Sequence, residues 1–263
     1  MMHSSDASPP RLHRWFSALL DLLYPPHCVA CGRLGDWLCD ECLETIPFIK
    51  PPTGQPCGTP IGRTGLCAAC QRNTSHLAGI RSVAAHAPPL LQAVHAFKYE
   101  GLRALAEPLG DLLAHHWQRG PLPVDVIAPV PLHDVRRRQR GYNQSVLLAR
   151  AFGQRVRFPL REDLLIRDRN TRSQVGLSRE ERWANVWGAF RCRSGDAKGR
   201  RVLVLDDVMT TGATLEACAY TLLEAGAGEV WALTLTRAIT PQRVPLAAEG
   251  TAFPGKSHRI GRA

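Results

Sequence analysis

The stretch between residues 201 and 235 constrains the fold more than any other. Residues 201–205 read Arg-Val-Leu-Val-Leu, a short β-branched apolar run that ends in Asp206-Asp207. A helical pattern over 213–225 follows, closed by Gly226, and a second apolar run occupies 229–235. Strand, turn, helix and strand in that order form a βαβ unit, so an α/β fold with a parallel sheet is expected.

The preceding sequence supplies further elements of the same kind. Strands are expected at 80–86 and 124–130, with helices over 88–99, 102–118 and 143–156; Pro108 is a candidate break or kink in the second helix. Residues 164–167 and 189–192 read as short strands around a polar, arginine-rich stretch. Residues 12–24 fit a short amphipathic helix ended by Pro25-Pro26, after a polar start expected to be disordered. The tail beyond 238 lacks periodicity and is expected to be loose.

The turn between the two best strands carries the chemistry. Asp206 and Asp207 stand at the carboxyl end of a buried strand, where ligands of open α/β sheets bind. Val208-Met209-Thr210-Thr211-Gly212-Ala213-Thr214 then leads into a helix. Backbone N–H groups at that helix start, with the hydroxyls of Thr210, Thr211 and Thr214, suit a phosphate, and Gly212 lets the backbone approach it. The carboxylates cannot face the same phosphate; they would accept hydrogen bonds from sugar hydroxyls beside it. A phosphate next to a diol is the shape of ribose 5-phosphate. The plainer alternative is a strand end followed by a threonine N-cap.

Seven of nine cysteines fall between 28 and 70. Cys28-x-x-Cys31 and Cys39-x-x-Cys42 each suit a knuckle giving two thiolates to one tetrahedral zinc; free or redox-active thiols, or pairing interleaved with the cysteines at 57–70, are the alternatives. Cys57 and Cys67-x-x-Cys70 form a weaker set for a second zinc, with His76 as a candidate fourth ligand. Cys192 and Cys218 read as core residues. An odd count without an export signal argues against a disulfide framework. Residues 11–23 mimic a signal peptide, but Asp21 interrupts the apolar run, and no run is long enough to span a membrane. The expected location is the cytoplasm, with no membrane insertion. The net charge is +10, and only four of the 33 basic residues are lysines. Arginine forks suit phosphates, on a small molecule or a nucleic acid; a solvated surface excess explains the same number.

Residues 202–214 resemble the phosphoribosyl pyrophosphate motif of type I phosphoribosyltransferases. Three further stretches narrow the likeness: Phe97-Lys98-Tyr99-Glu100-Gly101, Pro129-Val130-Pro131-Leu132-His133 with Arg140-Gly141-Tyr142-Asn143-Gln144-Ser145, and residues 171–190. With the cysteine-rich front, the chain from about 24 to 237 resembles the ComF family. The resemblance implies a parallel-sheet type I phosphoribosyltransferase fold at 79–237 behind a zinc-ribbon-like module at 25–76. It implies that Asp206 and Asp207 are the catalytic pair on the ribose hydroxyls and that Thr210, Thr211, Gly212, Ala213 and Thr214 hold the 5-phosphate. Lys98, Arg140 and Arg182 are the expected pyrophosphate contacts, and residues 167–193 form a hood over the ligand. Mg²⁺ would accompany the pyrophosphate, and zinc would be structural. Family members with a double zinc ribbon carry a cysteine three residues before the equivalent of Cys57; Gly54 stands there in this chain, which leaves the second site without that ligand. The implied role is in DNA uptake for natural transformation, with phosphoribosyl pyrophosphate, single-stranded DNA and the uptake machinery as partners. The alternative is a non-catalytic DNA-binding or scaffold factor that only senses a ribose phosphate.

Overall fold

The computed structural model describes residues 25–54, 57–61, 75–171, 176, 178–193 and 195–239. The expected helix at 12–24, the tail beyond 239, and Cys67 and Cys70 lie outside the described residues.

Four parallel strands form the central sheet, in the order β1-β6-β5-β2. They are β1 (Gly79–Ala85), β2 (Val126–Pro129), β5 (Arg201–Met209) and β6 (Glu229–Arg237). Strands β5 and β6 pair along their whole length, from Arg201 against Glu229 to Met209 against Arg237. Strand β2 meets β5 only from Val126–Val202 to Pro129–Leu205. The last four residues of β5 therefore run on past the end of β2, and a cleft opens there.

Both sheet faces are covered, as a parallel sheet requires. Helices α2 (Leu90–Tyr99), α3 (Ala106–Gln118) and α5 (Gln144–Val156) cover one face, where Phe97, Leu109, Leu113 and Phe152 pack against Leu203, Leu205 and Leu233. Helix α7 (Ala213–Glu224) covers the other, burying Leu215, Cys218 and Leu222 against Val202, Val204 and Val230. Pro108 does not break α3. It is the third residue of the helix, where its missing N–H has no intrahelical acceptor to lose; the irregularity lies just before it, in a 3₁₀ turn at Arg103–Leu105.

Two short helices lie where no apolar periodicity announces them. Helix α4 (Asp134–Arg140) buries no residue, and α6 (Arg179–Val186) sits inside the arginine-rich stretch. Ser178 and Glu181 form a reciprocal capping box at the start of α6, a helix signal that residue spacing alone could have supplied. The flanking strands β3 (Leu165–Arg167) and β4 (Phe190–Cys192) pair antiparallel and hold α6 near the cleft.

The cysteine knuckles carry one short helix, α1 (Asp40–Glu44), and their core residues Cys28, Leu38, Cys39 and Ile46 join the α2–α3–α5 core. Residues 47–49 then run antiparallel along the open edge of β1, with Ile49 N–H donating to Val83 at 2.9 Å and Ala85 N–H to Pro47 at 3.0 Å. That covers an edge that would otherwise offer unpaired backbone groups.

Helices α3 and α5 approach closely through Gly110, whose added Cβ would lie 2.5 Å from the Cβ of Ala151. Gly110→Val is expected to lower the unfolding free energy by roughly 2–3 kcal/mol through overpacking, read from urea denaturation.

Candidate functional site

The cleft beyond β2 has a volume of about 260 Å³. Its floor is the end of β5. Strand β5 continues through Asp206 and Asp207 to Met209, so the acidic pair lies inside the strand and not at its end. Successive strand residues project to opposite faces. The two carboxylates therefore do not lie side by side as a matched pair, although both line the cleft.

Each has its own partner. Asp207 is 3% exposed and faces α2, where its Oδ1 accepts from Lys98 Nζ at 2.8 Å. Its Oδ2 is buried with no partner. Asp206 Oδ1 accepts from Ser145 Oγ at 2.8 Å and from Asp207 N–H at 2.9 Å. Burial, then the neighbouring charge of Asp207, pushes the Asp206 carboxyl up to about 7. Burial works against the Lys98 ammonium, but Asp207 and Asp206 together outweigh it, and its pKa is raised. Cys218, in the core behind Asp206, is pushed up by burial and then by that carboxylate.

The loop after β5 turns sharply into α7. Gly212 takes φ +84° as the residue before the helix, and its absent Cβ would meet Met209 Cε at 3.1 Å. Thr210, Gly212, Ala213 and Thr214 line the cleft at a helix start, whose first-turn N–H groups have no intrahelical acceptors. Thr211 does not line it; its Oγ1 accepts from Ala213 N–H at 3.4 Å.

Arginines close the remaining walls. Arg140 and Arg182, both expected there, line the cleft, and so do Arg136 and Arg167. Arg140 Nη1, Arg167 Nε and Arg182 Nε are buried without a hydrogen-bond partner. Arg136 donates to the Thr171 carbonyl at 2.7 Å, and Arg167 to the Thr171 hydroxyl. Burial, then Arg136, lowers the pKa of Arg167. Unpartnered buried guanidinium N–H groups are costly unless an acceptor meets them, and an anion in the cleft would do so. Arg182 reaches the cleft because Trp183 and Trp187 anchor α6 against Tyr220 of α7, the last two rings lying 4.7 Å apart.

Asn143 caps α5: it accepts from Ser145 N–H at 3.0 Å and donates to the Val130 carbonyl at 3.0 Å. That cap delivers Ser145 to Asp206. Ser145 was not among the expected site residues; its sequence signals are its place two residues after the cap and at the end of the Arg140–Ser145 stretch. His133 caps α4, accepting from Val135 N–H.

The four front cysteines converge. Their sulfurs lie within 4.8 Å of one another, with Cys28–Cys42 at 3.7 Å and Cys31–Cys39 at 3.6 Å. Four sulfurs each about 2.3 Å from one zinc would stand roughly 3.8 Å apart, so the donor set and its spacing fit a closed, structural tetrahedral site. Of the second set, Cys57 is described, and its thiol contacts the Thr59 hydroxyl at 3.1 Å. His76 is turned to α7, its Nδ1 3.3 Å from Glu216 Oε2. Among the described residues no helix is long and apolar enough to cross a membrane.

Comparison with known proteins gives the same two parts. Residues 19–71 match the double zinc ribbon domain, and residues 130–248 match the phosphoribosyl transferase domain. The DNA utilization protein YhgH of Escherichia coli (strain K12) is 33% identical over 227 residues, 82% of this chain and 99% of that protein. Competence protein F of Haemophilus influenzae is 29% identical over 224 residues, 80% of this chain and 96% of that protein. Among solved structures, the glutamine phosphoribosylpyrophosphate amidotransferase from B. subtilis is 26% identical, covering 50% of this chain and 26% of that one, with a TM-score of 0.36.

Two outcomes are expected. Folding holds the Asp206 carboxyl above its ordinary value, so the folded chain keeps a proton that the unfolded chain releases. Stability then falls as pH rises from about 4 to about 7 and levels off above that. Asp206→Asn should raise the melting temperature more at pH 8 than at pH 5, followed by thermal unfolding at both. Cys39→Ser should cost one equivalent of zinc per chain in metal analysis and lower the melting temperature, since the knuckles share the sheet's core.

Proposed function

Because the chain belongs to the ComF family, we propose that its cleft binds a phosphoribosyl pyrophosphate-type ligand and that the protein serves DNA uptake in natural transformation, on the cytoplasmic side. The zinc module at 25–76 and the phosphoribosyltransferase domain at 79–237 are the two units of this reading. The observation that carries it is one cleft holding two carboxylates, a helix-start phosphate loop and three guanidinium groups with unpartnered buried N–H atoms.

The 5-phosphate sits on the helix-start N–H groups and the hydroxyls of Thr210 and Thr214, and the ribose hydroxyls donate to Asp206 and Asp207. Arg140 and Arg182 face the pyrophosphate, with Arg136 and Arg167 beside them. Lys98 holds Asp207 in place. The hard oxygens of Asp206 and the unpartnered Oδ2 of Asp207 suit Mg²⁺ accompanying the pyrophosphate, and the charge neutralisation it supplies would assist that group's departure. For phosphoribosyl transfer, the chain's contribution is positioning and electrostatic stabilisation of the departing pyrophosphate. Names of relatives such as DNA utilization protein and competence protein F support the biological half of the proposal.

Calorimetric titration of phosphoribosyl pyrophosphate with Mg²⁺ is expected to give saturable binding to the wild type and at least about tenfold weaker binding to Asp206→Asn/Asp207→Asn, on the order of one lost charge-assisted contact or more. No binding to the wild type would remove the ligand half of the proposal.

A further inference from the structure

His76 stands where the cysteine-rich front joins the sheet, and its backbone is tied to α7. Its N–H donates to Glu216 Oε2 at 2.9 Å, and its Nδ1 lies 3.3 Å from the same oxygen. The Ser75 hydroxyl donates to the other carboxylate oxygen, and Leu77 N–H donates to that hydroxyl at 3.1 Å. Glu216 is buried in the first turn of α7. Residues 75–77 are therefore fixed before the imidazole ring makes any contact of its own.

The ring joins a cluster drawn from two other segments. Tyr220, one turn further along α7, meets it edge-on at 5.3 Å and 75°, and Trp187 lies 6.2 Å away at 47°. Trp187 ends α6, and its ring lies 4.7 Å from Tyr220 and 6.3 Å from Trp183. Little else holds that helix: among its described side chains only Val186 is buried. Arg182 and Val186, four residues apart, share one face of α6, and Trp183 and Trp187 hold the neighbouring face. The tryptophan rings thus set the rotation of α6 about its axis. That rotation aims Arg182, whose Nε is buried without a partner in the wall of the cleft. His76 itself does not line the cleft.

We propose that His76 is a positioning residue for the pyrophosphate end of the cleft. Its ring braces Trp187 against Tyr220, and Trp187 in turn fixes α6 and the Arg182 guanidinium. The front of the chain thereby bears on anion affinity without touching the ligand. This rests on the reading of Arg182 as a pyrophosphate contact and adds what aims it.

Pyrophosphate with Mg²⁺ and ribose 5-phosphate probe the two ends of the cleft separately. Both are titrated calorimetrically into the full chain as wild type, His76→Ala, His76→Phe, Arg182→Ala and the His76→Ala/Arg182→Ala double variant. His76→Ala keeps the Ser75 and backbone N–H anchors on Glu216. It should weaken pyrophosphate about three- to tenfold, the scale of one aromatic pair, and leave ribose 5-phosphate within about twofold. His76→Phe should stay within about twofold of wild type for both, because a ring still fills the seat. Arg182→Ala should weaken pyrophosphate at least as much as His76→Ala does. Adding His76→Ala to it should cost nothing more, because two residues that act through one contact are not additive. An equal loss for both ligands, no loss for pyrophosphate, a His76→Phe effect as large as that of His76→Ala, or full additivity with Arg182→Ala overturns the positioning role. Failure of the wild type to bind pyrophosphate overturns the pyrophosphate reading itself, and the role with it.

Discussion

Two carboxylates one peptide bond apart inside the last stretch of pairing of a buried strand repel each other in a poorly solvated place, and the site is organised around that repulsion. Alternation along β5 separates them to opposite faces. Each is then compensated from a helix terminus: Lys98 reaches Asp207 from the end of α2, and Ser145 reaches Asp206 from the start of α5. The compensation is unequal. Asp207 has a full cation, whereas Asp206 has a hydroxyl and a backbone N–H; burial, then the neighbouring charge of Asp207, raises the Asp206 pKa against them. A cation or a set of sugar hydroxyls entering the cleft would complete what the fold leaves half balanced.

The zinc module is joined to the same framework at several points. Residues 47–49 cover the edge of β1. Arg237, at the end of β6, donates to the Cys57 carbonyl at 2.7 Å and to the Thr59 hydroxyl at 3.1 Å. Glu216, in the first turn of α7, accepts from the Ser75 hydroxyl and from His76 N–H at 2.9 Å. The front of the chain thus grips the edge strand, the end of β6, and the helix that begins at the phosphate loop.

Much of this was legible in the residues. The βαβ unit, the phosphate loop and the paired cysteine knuckles each depend on local spacing, which survives in a linear text. Helices α4 and α6 show no apolar period, because α4 buries nothing and, among its described side chains, α6 buries only Val186; without an apolar stripe only the Ser178–Glu181 capping box marks α6. The arginines were visible as a group, but their order of importance was not. Arg136 and Arg167 line the cleft as fully as Arg140 and Arg182 do, while the chemically similar Arg191 and Arg193 pair with Asp168 and Asp163.

By itself the sequence determined the parallel α/β architecture, the chemistry available at the end of β5 and the four-thiol set, because each follows from residue type at short separation. Only the tertiary structure decided that β2 stops short and β5 runs on, that Lys98 and Ser145 divide the two carboxylates between them, and that His76 turns to α7. Those outcomes depend on contacts between residues tens of positions apart, such as Lys98 with Asp207 and Ser145 with Asp206. Which partner a charge finds across that distance is set by how the helices pack on the sheet, and local spacing carries no record of it.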